Sequence, residues 1–61
     1  MNNEQETKEN IRRWAKVRKS RKITQDEVSK MTGLSRSNIA NFERLRVNNM
    51  FLYNFYQNMF N

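Results

Sequence analysis

The chemistry on offer in this chain is cationic. Arg12, Arg13, Lys16, Arg18, Lys19, Arg21 and Lys22 fall within eleven consecutive residues that contain no acid. Across the whole chain twelve Lys and Arg face six Asp and Glu, a net charge of +6 on 61 residues. A surplus of that size calls for a polyanionic partner, either nucleic acid or an anionic membrane surface. The alternative, a merely solvated basic helix face, has similar weight when the run is read alone. Other chemistry has little to draw on. Histidine and cysteine are both absent, so neither a metal site nor a thiol or Ser–His nucleophile has its usual groups. The carboxylates fall at helix-end positions with simpler roles. We therefore expect no catalytic centre, no metal and no cofactor.

The elements that must position these cations are helices. There is no proline, the only glycine is Gly33, and no stretch alternates as a strand would. One domain, residues 1–61, is all that this length holds, with a small core and marginal stability. Residues 1–5 are expected to fray. The spacing predicts a first helix from about Thr7, its N-cap, to Arg21, with Ile11, Trp14, Ala15 and Arg18 on one stripe and Val17 at the margin. Thr24 followed by Glu27 fits a capping box opening a second helix, with Val28 and Met31 on its buried side. Gly33 suits the left-handed residue that ends a helix. Ser35 then caps a third helix over Arg36 to Arg44, with Ile39 and Phe42 facing inward. Residues 24–44 thus read as helix, short glycine turn, helix. A fourth helix spans residues 49–60, its stripe Leu52, Phe55, Tyr56 and Met59, with Phe51, Tyr53 and Phe60 outside it.

The string from Ile23 to Glu43 resembles the helix-turn-helix of Cro/C1-type repressors, the XRE family. The shared features are the opening Thr24-Gln25-Asp26-Glu27-Val28, the turn Gly33-Leu34-Ser35, and the close Ile39-Ala40-Asn41-Phe42-Glu43. Val17 to Lys22 also look like that family's first helix. The resemblance implies an all-α, compact four-helix domain akin to lambda-repressor-like DNA-binding domains, without their usual fifth helix. It implies binding of double-stranded DNA, with a recognition helix in the major groove.

With Ile39 and Phe42 turned inward, Arg36, Ser37 and Asn41 project outward, flanked by Asn38 and Ala40. Arg36 suits guanine O6 and N7, Asn41 suits adenine N6 and N7, and Ala40 a thymine methyl. The family reads bases from the positions of Arg36, Ser37 and Asn41. Its glutamine at the Gln25 position grips a phosphate, which also suits a helix N-terminus. Ser35, Arg44 and Arg46 are further phosphate candidates, and the cations of the first helix add long-range attraction. By the same resemblance Arg18 and Glu43 form a partly buried structural ion pair. The departures lie in the loops: Lys22 and Leu45 stand where the family often has glycine, and the proline before the fourth helix is missing, with Asn49 nearby.

Five of the seven aromatic residues lie between Phe51 and Phe60. That exceeds what one amphipathic helix needs, so the excess is expected to meet a partner, with homodimerisation through the Leu52, Phe55, Tyr56 and Met59 region leading. Complete packing into the chain's own core is the alternative. No signal peptide is visible and the apolar tail is far shorter than the ~20 residues of a membrane span, so a bacterial cytoplasmic location is expected. The resulting reading is a transcriptional regulator, a repressor of phage or plasmid type. The alternatives are a protein-interaction module, such as an anti-repressor or antitoxin, using the aromatic helix, or the N-terminal DNA-binding part of a longer protein.

Overall fold

The computed structural model describes residues 3–61. Four helices follow in order: α1 Asn3–Ser20, α2 Gln25–Thr32, α3 Arg36–Glu43 and α4 Met50–Phe60. Among the described residues no strand occurs, and no helix is long and apolar enough to cross a membrane.

Helix α1 starts earlier than the sequence spacing predicts. It runs straight through Thr7, which is therefore an interior residue and not an N-cap, and Asn3 to Gln5 are helical; residues 1 and 2 lie outside the described residues. The physical reason is charge. Glu4 and Glu6 occupy the first turn and Arg18 and Lys19 the last, each where the helix dipole favours it.

Helices α1 and α4 pack along each other and close over α3. The core is Ile11 and Trp14 from α1, Val28 from α2, Ile39 and Phe42 from α3, and Leu52, Tyr56 and Phe60 from α4. The Trp14 ring meets Tyr53 edge-on at 4.9 Å, and Tyr56 lies between Phe42 at 5.1 Å and Phe60 at 5.2 Å. Tilted and edge-on ring pairs of this kind add attraction beyond area burial. The far end of α4 is tied down by polar contacts. Arg13 and Trp14 both donate to Asn61 Oδ1, at 3.2 and 3.4 Å, and Arg21 donates to the Met59 carbonyl at 2.9 Å with its guanidinium over the Phe60 ring.

Two burial expectations are corrected. Met31 is 49% exposed, because α2 is only two turns long and Thr32, not Met31, continues the inward line from Val28; Thr32 is half-buried and its hydroxyl donates to the Val28 carbonyl. Phe60 is buried, not outside the stripe, since the inward line of α4 runs through Leu52, Tyr56 and Phe60 at i, i+4 and i+8. Phe55, Met59 and Tyr53 are half-buried against that core. The tail's aromatic excess is thereby largely internal, leaving Met50 and Phe51 exposed.

Candidate nucleic-acid interface

The α2–turn–α3 unit is built from local hydrogen bonds. Thr24 and Glu27 close a reciprocal capping box: the Glu27 amide donates to Thr24 Oγ1 at 3.1 Å, and the Thr24 amide to Glu27 Oε1 at 2.9 Å. Helix α2 ends at Gly33, whose φ of 76° is in the left-handed region and whose amide donates to the Ser29 carbonyl. Ser29 Oγ in turn donates to the Leu34 carbonyl, which fixes the turn. Ser35 then caps α3, accepting from the Asn38 amide at 3.2 Å. Such caps contribute about 1 kcal/mol each.

The other two loops have the geometry that glycine usually serves. Lys22 has φ 61° and Leu45 φ 64°. At each, the two amide bonds of a Schellman helix end are present: Lys22 to the Lys19 carbonyl and Ile23 to Arg18, then Leu45 to Phe42 and Arg46 to Asn41. The backbone therefore keeps the turn while a side chain replaces glycine. Helix α3 itself stops at Glu43, one residue short of the expected end, with Arg44 as its C-cap.

Ile39 and Phe42 are 0% and 1% exposed, which fixes the rotation of α3. Arg36, Ser37 and Asn38 are exposed at its N-terminal end, while Ala40 and Asn41 are half-buried on its flank. Arg36 Nε lies 3.9 Å from Asp26 Oδ1 with both side chains about two-thirds exposed; a pair this loose and wet is worth little and leaves the guanidinium free to move. Ser35, Arg44 and Arg46 are exposed beside this surface.

Behind the surface lies a charged hub. Arg18 Nε and Nη2 donate to Glu43 Oε2 and Oε1, at 2.7 and 3.0 Å, and Arg18 Nη1 donates to the Ile23 carbonyl. Gln25 Nε2 donates to Glu43 Oε1 at 3.1 Å, and the Tyr56 hydroxyl to Glu43 Oε2. One carboxylate thus joins all four helices. Burial alone would raise the Glu43 carboxyl, but hydrogen bonds from Arg18, Tyr56 and Gln25 outweigh it and hold it below its ordinary value. The bond to Glu43 raises the Arg18 guanidinium against the opposing cost of burial. Burial, then the bond to Glu43, push the Tyr56 phenol well up.

A helix pair of this shape, joined by a glycine turn and exposing the N-terminal end of its second helix, is the arrangement that enters a major groove in DNA-binding proteins. A family model described as a helix-turn-helix domain matches residues 11–56. The chain belongs to that family. The match runs from Ile11, the first core residue of α1, to Tyr56, the α4 member of the hub, so it takes in α2 and α3 whole and part of α1 and of α4. No curated protein and no solved structure matches the chain.

Gln25, expected on a phosphate, donates one amide proton to Glu43 Oε1 and keeps a second donor. Of the four residues expected at a homodimer surface, Phe55 and Met59 are half-buried while Leu52 and Tyr56 are unavailable. Leu52 and Tyr56 are wholly buried in the chain's own core, and a side chain already packed inside cannot face a second copy. The α1 cations Arg12, Lys16 and Lys19, expected only as diffuse attraction, line a groove beside α3 together with Arg44, a phosphate candidate from the start. The i, i+4, i+7 spacing of the first three was the available signal.

Proposed function

We propose that this helix-turn-helix domain is a sequence-specific DNA-binding regulator of Cro/C1 type, acting in the bacterial cytoplasm as a repressor of phage or plasmid origin. The observation that carries the reading is the phase of α3. Burial of Ile39 and Phe42 turns Arg36 and Ser37 outward and leaves Asn41 half-buried on the flank, and to these three we assign the reading of base edges. Asn38 and Ala40 flank them, and Gln25, Ser35, Arg44 and Arg46 hold the phosphates that set register. The domain works as a homodimer, with the apolar edge of Val47, Met50 and Phe51 as its contact; these are 42%, 73% and 56% exposed. The test is selection of bound duplexes from a random pool, with the mass of the complex measured in the same buffer. A palindromic consensus bound by two copies supports the reading. Equal affinity for all sequences overturns it.

A second reading rests on the same exposed edge. Val47 and Met50 line one groove with Thr7, Ile11 and Tyr53, a surface on which a protein-interaction module would seat another chain. Sequence-independent DNA binding together with a stable complex with another protein would favour it.

A further inference from the structure

We propose that the groove between α1 and the α2–α3 unit is a phosphate track that grips the sugar-phosphate backbone of one DNA strand beside the recognition helix. This rests on the DNA-binding reading and goes beyond it, because it moves α1 from a distant attractor to a direct contact. Arg12, Lys16 and Lys19 stand at i, i+4 and i+7 on one face of α1, and Arg44 closes the groove from the C-cap of α3. All four are exposed, and among the described residues no hydrogen bond or ion pair engages their side chains. Their neighbours differ: Arg13, Arg18, Arg21 and Arg36 each have a protein partner.

The groove is built to receive an anion. Its volume is about 390 Å³, and its other lining residues are Ala15, Gln25, Ala40 and Glu43. The two alanines are small enough to let a bulky phosphodiester approach the helices. Glu43, the one acid among the lining residues, does not cancel the cations, because its oxygens already accept from Arg18, Gln25 and Tyr56. From Arg12 to Lys19 the helix rises about 10 Å at roughly 1.5 Å per residue. Three cations over that length can meet successive phosphates of one strand, and Arg44 adds a fourth contact from the opposite wall. Ala40 lies on the flank of α3, so a strand in the groove borders the same major groove that Arg36 faces.

The experiment is DNA affinity against salt concentration, by fluorescence anisotropy on selected and random duplexes. The variants are Lys16→Gln, the quadruple Arg12→Gln/Lys16→Gln/Lys19→Gln/Arg44→Gln, and Lys8→Gln as a charge-matched control on α1 outside the groove. Each phosphate contact contributes about 0.9 to the slope of log affinity against log salt. Lys16→Gln should flatten the slope by about 0.9 and the quadruple by about 3.6, with the order of preferred sequences kept and Lys8→Gln close to wild type. A quadruple slope equal to that of wild type, or a Lys8→Gln effect equal to that of Lys16→Gln, overturns the track while leaving sequence-selective binding intact. Unchanged DNA slopes with loss of binding to phosphatidylserine-containing vesicles would assign the groove to a membrane surface and overturn it too. Wild-type protein that binds no DNA removes both this inference and the function on which it rests.

Discussion

Arg18 and Glu43, 25 residues apart, meet through two parallel hydrogen bonds, Nε to Oε2 at 2.7 Å and Nη2 to Oε1 at 3.0 Å, with side chains only 6% and 8% exposed. The pair joins the middle of the fold to the end of α3, since Arg18 also donates to the Ile23 carbonyl and Glu43 also accepts from Gln25 and Tyr56. In so small a domain the hub aligns α3 against α1, and with it the surface that α3 presents.

Removing one partner strands the other charge in a poorly solvated place. Arg18→Ala or Glu43→Ala should each cost about 3–5 kcal/mol, a large share of the stability of a domain of this size. Arg18→Met with Glu43→Leu should recover much of that loss, because a paired apolar replacement leaves no charge behind. Urea unfolding followed by circular dichroism measures all three.

The hub also makes stability depend on acid. The folded Glu43 carboxyl is held below its ordinary value, so the folded state favours the ionised form. Its contribution is present above the unfolded-state value, near pH 4.3, and is lost as pH falls through the lower folded value. Thermal melts should show wild type losing stability on acidification through that window. Glu43→Gln should be less stable at neutral pH and show a shallower acid dependence.

Two turns hold side chains in the left-handed region. Lys22 is exposed at φ 61°, so Lys22→Gly should stabilise the domain by about 1 kcal/mol. Leu45, at φ 64°, packs against the core, so Leu45→Gly relieves the backbone but loses apolar contact and should bring little or no gain. Gly33→Ala should cost about 1 kcal/mol through backbone conformation alone, because an added Cβ meets nothing within 4 Å. Melting temperatures of the three variants would be ordered Lys22→Gly highest and Gly33→Ala lowest.

On the recognition surface, Arg36→Ala and Asn41→Ala should each reduce discrimination at one base position by about 1–3 kcal/mol. Melting temperature should change little for Arg36→Ala, whose one polar partner among the described residues is Asp26, in a loose pair. Competition binding of consensus against single-mismatch duplexes reads the loss. Equal discrimination in both variants and wild type would rule out the assigned roles.

Much of this was legible in the sequence wherever cause and effect lie within a few residues. The Thr24–Glu27 box, the Gly33 turn, the Ser35 cap and the inward pair Ile39 and Phe42 all follow from bonds or spacings of three or four positions. Asn49, expected at the start of the fourth helix, is the cap of α4 by the same local logic. The start of α1 was harder, because Thr7 is a good cap but the acids before it extend the helix at no cost in capping.

Sequence by itself determined that this chain is helical, where α2 and α3 begin and which two residues of α3 turn inward, since short-range hydrogen bonding and apolar periodicity are written locally. Only the tertiary structure decided which cations are free. Arg13 and Arg21 reach across to α4 at separations of 48 and 38 residues, Arg18 turns inward, and Arg12, Lys16, Lys19 and Arg44 are left around one groove. The same packing took Phe60 inside and left Met31 out. Those outcomes depend on how α1 and α4 are rotated against each other, and that rotation is set by the combined burial of side chains from distant parts of the chain.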